Sequence, residues 1–199
     1  MEKTIQCFIE FLKEKLPVSL QVITENGSIL LKNVPNIAPS AYLHSLYAPL
    51  NSKDLSELEA AISYSLPEEL KQLYQTVNGI DLFCGTLYLY GLRKDNARTV
   101  LATVQQPFDI SLPNNTSFGY HINKAVYIGA YKYDGSVIGY EIDTGKIFRQ
   151  SKSDKKILNR WNDLNEFIYS EFDRLSTLVD ENGSKQEGVK STVPDSQLH

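Results

Sequence analysis

The chain has 199 residues, of which 42% are hydrophobic, and it carries a formal net charge of −4. This length and apolar content predict a single domain with one sizeable core. The acidic balance provides no basic patch to neutralise phosphates, so we expect no nucleic-acid partner. No stretch approaches the roughly 20 apolar residues that a membrane span needs, so we expect no membrane association.

The first residues and the cysteines predict a cytoplasmic protein. Glu2, Glu10 and Glu14 interrupt any apolar run that could serve as a secretion signal. Cys7 and Cys84 stand far apart and form no C-x-x-C motif. We therefore expect two reduced, buried thiols.

The first 50 residues predict a helix followed by a hairpin. Apolar residues recur at helical spacing over residues 3–16, and Pro17 ends the pattern. Two apolar runs, 20–24 and 28–32, flank Asn26-Gly27, which is a strong hairpin signal. The apolar run 41–47 is interpreted as a short helix.

The chain is organised around residues 63–92. A helix over 53–63 precedes a second helix that begins near Pro67, where Ser65 and Glu68 have the spacing of a capping box. The apolar face of the second helix is formed by Leu70, Leu73, Tyr74 and Val77. Asn78-Gly79 is expected to end it, and residues 86–90 alternate like a strand.

The second half predicts a small antiparallel meander and a closing helix. Residues 94–106 have weak helical character, and 107–117 form a polar loop. Three strand-like runs, 125–131, 136–142 and 146–150, are separated by turns at Asp134-Gly135 and Asp143-Thr144-Gly145. A helix is expected over 158–178. From about Asp180 the chain is almost free of apolar residues, which predicts a disordered tail.

The sequence contains no recognisable catalytic set. The three histidines, His44, His121 and His199, have no neighbours at metal-ligand spacing. The best candidate for chemistry is the carboxylate group at the end of the meander, formed by Asp134, Glu141 and Asp143. Carboxylates at a strand end can hold a divalent ion for hydrolysis, but aspartate is also the ordinary residue of such turns.

The order and spacing of several short motifs resemble the SUKH superfamily, also called the SMI1/KNR4 family. The first block comprises Ser52 to Glu59, Ile62, Leu66-Pro67-Glu68-Glu69-Leu70, Asn78-Gly79, Phe83 and Leu87 to Leu92. The second comprises Tyr127-Ile128-Gly129, Asp134-Gly135, Ile138 to Ile142 and Thr144 to Ile147. Trp161, Leu164, Phe167 and Ile168 resemble the closing helix, so the resemblance covers residues 52–172. The family often has a second glycine where this chain has Ile80.

The resemblance implies an α+β fold with a curved, mainly antiparallel sheet packed against helices. We accordingly expect an N-terminal extension over 1–50, the family domain over 51–178 and the disordered tail over 179–199. Bacterial members resemble immunity proteins that neutralise polymorphic or contact-dependent toxins, often nucleases. Fungal relatives regulate cell-wall synthesis through protein contacts, which gives an alternative function as a regulatory scaffold. The resemblance implies no enzymatic activity and no cofactor.

An inhibitor of a basic toxin should present carboxylates and aromatic anchors on rigid structure. Tyrosines and acidic residues combine in this way around the predicted strands. We therefore predict one acidic and aromatic partner-binding surface formed by Asp81, Tyr88, Tyr90, Tyr131, Asp134, Glu141 and Asp143. The alternative is that the tyrosines pack under a helix and the carboxylates only shape turns.

Overall fold

One antiparallel sheet forms the framework of the protein. The computed structural model describes residues 4–97, 99–115 and 124–196. Nine strands follow one another across the sheet in chain order. They are β1 (Gln21–Ile23), β2 (Ile29–Asn33), β3 (Tyr42–Leu46), β4 (Ile80–Leu82), β5 (Leu87–Leu89), β6 (Ala125–Tyr131), β7 (Val137–Glu141), β8 (Ile147–Gln150) and β9 (Ile157–Trp161). Because β1 to β3 belong to this sheet, the N-terminal extension is continuous with the rest of the fold.

The described helices are α1 (Ile5–Lys15), α2 (Ser52–Ile62), α3 (Glu68–Thr76), α4 (Val100–Val104), α5 (Ser111–Asn114) and α6 (Leu164–Ser176). Helix α1 contacts both α3 and α6. These three helices cover one face of the sheet, where Phe167 and Ile168 of α6 lie over apolar side chains of β4 and β5. The predicted α+β class, with an antiparallel sheet packed against helices, is confirmed. Among the described residues, none of the helices is both long and apolar enough to cross a bilayer.

Strand alternation assigns side chains to two faces. Leu82, Leu87 and Tyr131 are successive cross-strand partners on what we call the helix-covered face. Asp81 and Tyr88 are partners on what we call the opposite face. Of the four meander residues predicted to face the core, Ile138, Tyr140 and Ile147 are buried and Ile142 is half-buried. Val137 and Phe148 on the other face are buried as well, so both faces of the meander are covered. The three predicted strand runs and their turns at Asp134-Gly135 and Asp143-Thr144-Gly145 are also confirmed.

The central helix forms as predicted, but a different residue caps it. Leu70, Leu73 and Tyr74 are fully buried, which confirms the predicted apolar face. The N-terminal cap position is Pro67, with no side-chain cap bond. Instead Glu59, from α2, accepts hydrogen bonds from Leu66 N–H at 2.7 Å and from the Ser65 hydroxyl at 3.1 Å. The capping-box interpretation of Ser65 is therefore wrong, since a carboxylate from the preceding helix takes that hydroxyl.

The Asn78-Gly79 pair after the central helix shapes the path of the chain into the sheet. The helix ends at Thr76, and Val77 is already extended. Gly79 has φ +95°, and a Cβ there would lie 2.7 Å from the Leu89 carbonyl oxygen. The Asn78 side chain exchanges two hydrogen bonds with the Leu92 backbone, at 2.8 and 2.7 Å. Asn78 thus ties the helix exit to the segment that follows β5, and Gly79 lies close against the end of β5; neither residue forms part of the last helical turn.

Three segments differ from the predicted secondary structure. Residues 41–47 form β3 instead of a helix, because they pair with β2 and β4. Ile80–Leu82 is a strand where a loop was expected, and it pairs with β5. The closing helix begins only at Leu164, after β9, and the Asp163 side chain caps it. In each case sheet partners decide the structure of a short apolar segment.

The tail also differs from the prediction of disorder. Apart from one isolated bridge, residues 180–196 have no regular structure, but four of their carbonyls bind the body of the protein. One is Asn182 O, which accepts from Asn36 Nδ2 at 3.0 Å. Arg149 Nη1 donates to Pro194 O at 2.6 Å, Asn159 Nδ2 to Asp195 O at 2.7 Å, and Arg174 Nη2 to Thr192 O at 2.8 Å. The prediction of disorder rested on the polar side chains of the tail, whereas these hydrogen bonds are made by its backbone. His199 and the last two residues before it lie outside the described residues.

Candidate protein-interaction face

The opposite face of the sheet brings three of the seven predicted residues together. Asp81 of β4 and Tyr88 of β5 are direct cross-strand partners. Tyr90 lies two residues beyond Tyr88, and the two rings meet edge to face at a centroid distance of 5.6 Å. We call Asp81, Tyr88 and Tyr90, with Phe108, the tyrosine patch. Asp81 and Tyr88 sit on adjacent short strands and Tyr90 directly follows the second, which fixes their relative positions.

Phe108 completes the tyrosine patch from a part of the chain that was interpreted as a loop. Its ring is 4.6 Å from the Tyr88 ring, centroid to centroid, and the residue remains 53% exposed. The Phe108 carbonyl accepts a hydrogen bond from Gly91 N–H at 3.0 Å, which holds the segment against the end of β5. An exposed aromatic residue supported in this way is a suitable anchor for a protein partner. No periodic pattern around Phe108 could have revealed it.

Asp81 is an unusual carboxyl group. Gly85 N–H donates to its Oδ1. Burial raises the pKa of Asp81 to about 7, although the Gly85 hydrogen bond and the charge of Lys132 act in the opposite direction. The carboxyl group therefore exists in both charged and protonated forms near neutral pH. A cationic group placed beside it by a partner would favour the charged form.

A cavity of about 260 Å³ lies beside the tyrosine patch and has Asp81 in its wall. Tyr42, Tyr47, Phe108 and Lys132 also line it. Tyr47 directly follows β3, and strand alternation places the side chains of Ser45 and Tyr47 on this face. The interpretation of residues 41–47 as a helix did not predict that placement. The cavity gives the face a recess into which one side chain of a partner could insert.

Tyr131 and Asp134 do not share this face. Tyr131 is fully buried on the helix-covered face, where the Arg149 guanidinium lies 5.5 Å from its ring centroid. Asp134 pairs with the same Arg149 at 2.7 Å and accepts hydrogen bonds from Ser136. Burial raises the pKa of Asp134, but these hydrogen bonds outweigh it, and the pKa is lowered overall. The expectation of a single surface containing Tyr131 and Asp134 is corrected: a residue on the helix-covered face cannot join the tyrosine patch.

Glu141 and Asp143 lie at the far end of β7. Glu141 shares the opposite face by alternation, but it is four residues along the strand from Val137, or roughly 13 Å. Its carboxylate pairs with Arg160, and Asp143 pairs with Lys124 at 2.7 Å. Burial opposes ionisation of Glu141, yet the hydrogen bonds from Arg160 and Thr144 lower its pKa. These two carboxylates are therefore separated from the tyrosine patch and already paired with cations. Whether any of the seven residues contacts a partner stays a prediction.

The carboxylates considered for a metal site are engaged in other contacts. Within the ranges 4–97, 99–115 and 124–196, no three histidine, cysteine or acidic side chains are grouped so that they could hold an ion. Asp134 is engaged with Arg149, while Glu141 and Asp143 are engaged elsewhere. His44 is buried, and its Nδ1 accepts a hydrogen bond from Phe83 N–H at 3.3 Å. His121 lies outside the described residues.

Comparison with known proteins agrees with the arrangement of strands and helices. The model of the SMI1 / KNR4 family (SUKH-1) matches residues 49–170. A comparison with curated proteins gives no match. The matched range runs from just before α2 to the middle of α6, so it includes the tyrosine patch and the whole meander. With more than half of its length matched, the chain belongs to the SMI1 / KNR4 family (SUKH-1).

Proposed function

We propose that this protein is a non-catalytic, immunity-type binding protein that neutralises a cognate protein toxin through the tyrosine patch. The observation that carries the proposal is the cluster of Asp81, Tyr88, Tyr90 and Phe108 beside a recess, in a chain of this family. Neutralisation by blockade needs a rigid complementary surface rather than reactive groups. We place the protein in the cytoplasm, where it would meet an imported toxin, including a nuclease.

The tyrosine patch has the properties of an interaction centre. Tyrosine and phenylalanine rings bury a large area with few rotatable bonds, so ordering them on binding costs little. Asp81 adds a carboxyl group that a basic side chain of the toxin would hold in its charged form. Asp81 and Tyr88 lie on two paired strands, and Tyr90 and Phe108 are held against Tyr88, so the patch needs no large rearrangement to meet a partner.

The alternative function is a regulatory scaffold like that of the fungal relatives. A disordered tail would have favoured it, since disordered segments can carry binding motifs. In the structure, carbonyls of that segment bind Arg149, Asn159 and Arg174. The tail therefore no longer favours the scaffold, which becomes one outcome of the test.

The test is a protection assay with any candidate toxin gene found beside the gene for this chain. Cells expressing the toxin are expected to survive only when the wild-type protein is co-expressed. Tyr88→Ala should abolish protection and weaken binding by about 2 kcal/mol or more, as expected for a central aromatic anchor. Tyr64→Ala is the matched control, because it removes an exposed tyrosine in the connection between α2 and α3.

Two results would contradict the proposal. One is full protection by a folded Tyr88→Ala protein, which would exclude the tyrosine patch as the toxin-binding site. The other is an absence of any toxin gene nearby, together with stable housekeeping partners in pull-downs, which would favour the scaffold. A thermal melt of each variant separates loss of binding from loss of the fold.

A further inference from the structure

A second cavity lies on the helix-covered side of the sheet and is separate from the tyrosine patch. It has a volume of about 270 Å³ and is lined by the apolar side chains of Leu12, Leu16, Leu43, Phe83 and Phe172. These residues come from α1 and the position directly after it, from β3, from the loop after β4 and from α6. At about 30 Å³ per water molecule, the cavity has the volume of roughly nine waters. It is thus large enough for a small organic molecule.

His44 provides a hydrogen-bond donor in the wall of this cavity. The residue is only 4% exposed, and burial, with a contribution from the charge of Lys15, lowers its pKa to about 3. The ring is therefore neutral at physiological pH. Because Nδ1 accepts the hydrogen bond from Phe83 N–H, the ring proton is on Nε2. Among the residues that the structure describes, none accepts a hydrogen bond from Nε2–H.

Lys15 provides a positive charge at the same cavity. Its ammonium group lies 4.9 Å from the centroid of the Phe172 ring, and the His44 ring lies 5.8 Å from the same centroid. The two donors thus flank one aromatic ring. Lys15 forms no ion pair within the described ranges.

The acidic residues at the cavity are already engaged. Glu181 pairs with Lys32 at 3.0 Å. Asp180 accepts hydrogen bonds from the backbone N–H groups of Asn182 and Ser184, each at 2.9 Å. The hydroxyl of Ser176, which also lines the cavity, donates to Phe172 O at 2.7 Å. The donors left to recognise a ligand are consequently two, one neutral and one cationic, beside an apolar wall.

We propose that this cavity binds a small apolar monocarboxylate, whose carboxylate accepts from His44 Nε2–H and pairs with Lys15 while its hydrocarbon part packs against the leucine and phenylalanine side chains. A carboxylate is an acceptor with one negative charge, which matches the two donors. An amine would place a cation beside Lys15, and a dianionic phosphate would lose more hydration on entering an apolar cavity. The proposal does not depend on the proposed function.

The direct test is an NMR titration of the full chain at pH 7 with hexanoate. We expect saturable shifts in the amide signals of the residues that line the cavity. Two six-carbon probes serve as comparisons. 1-Hexanol should bind about tenfold more weakly because it lacks the charge, and hexylamine should not bind there. No saturable shift with hexanoate, or equal binding of hexanoate and 1-hexanol, would overturn the proposal.

Two variants assign the binding to the named donors. Lys15→Met keeps an apolar stem over Phe172 but removes the charge, and it should weaken hexanoate binding about tenfold or more. Lys13→Met removes a charge from the same helix outside the cavity and should change binding less than twofold. His44→Phe, checked by its thermal melt, should weaken hexanoate binding but not that of 1-hexanol by the same factor. If Lys15→Met binds hexanoate like the wild type, the assignment is refuted whatever the His44 variant does.

Discussion

Asp81 makes the stability of this protein depend on pH in a direction opposite to that of most aspartates. Its pKa is about 7 in the folded protein, compared with 3.8 for an aspartate that is fully exposed to water. The folded state therefore holds the proton more tightly than the unfolded state. Between pH 4 and pH 7 the unfolded chain ionises first, so the contribution of Asp81 to stability falls as pH rises and levels off above pH 7.

The replacement Asp81→Asn tests this directly. Asparagine has a similar shape and keeps an oxygen that can accept the hydrogen bond from Gly85 N–H, but it cannot ionise. The gap between 3.8 and about 7 corresponds to about 4 kcal/mol at about 1.4 kcal/mol per pH unit. Because the cavity beside Asp81 gives some contact with water, we expect the variant to be roughly 2–4 kcal/mol more stable than the wild type at pH 8. At pH 4 the two proteins should have nearly equal stability.

Urea denaturation of both proteins at several pH values measures the effect. The quantity to compare is the difference in unfolding free energy, since other titrating groups then cancel. Asp134→Asn is a matched control with the opposite sign, because the pKa of Asp134 is lowered and Arg149 would lose its carboxylate partner. A stability difference for Asp81→Asn that stays constant from pH 4 to pH 8, or a variant less stable than the wild type at pH 8, would refute the reasoning.

Three further predictions concern stability. Removal of residues 191–199 should lower the unfolding free energy by about 2–5 kcal/mol, because buried side-chain donors lose their carbonyl acceptors, and an unchanged thermal melt would contradict this. Gly139→Ala should cost about 1–3 kcal/mol in urea denaturation, since the new Cβ would lie 2.0 Å from the Phe148 ring, and equal midpoints would show that the ring moves freely. Glu59→Ala should cost about 1 kcal/mol by removing the acceptor for Leu66 N–H, whereas Glu57→Ala on the same helix should cost less.

Local signals in the sequence determined the regular parts of the fold. Asn26-Gly27 and Asp134-Gly135 mark hairpins because their turns need residues that tolerate positive φ. The alternation of Ile138 and Tyr140 assigns them to the core because side chains in a strand repeat every two residues. The order of such motifs was sufficient to identify the family. Each of these features depends on local backbone geometry or residue spacing and not on which other part of the chain packs against it.

The strand pairing, ion pairs and tail contacts of the other segments were decided only by the tertiary structure. β3 and β4 are short, and their pairing with strands on both sides, rather than their own propensity, makes them strands. Tyr131 and Tyr88 point to opposite faces, which depends on the register between β5 and β6. Arg149 of β8 pairs with Asp134 in the β6–β7 turn, and Arg160 of β9 reaches across β8 to Glu141 of β7. Carboxylates that seemed free in the sequence are therefore paired in the fold. The tail lies against the body because its carbonyls accept hydrogen bonds from side-chain donors. Every residue has the same backbone carbonyl group, so the amino-acid composition of the tail could not predict that contact.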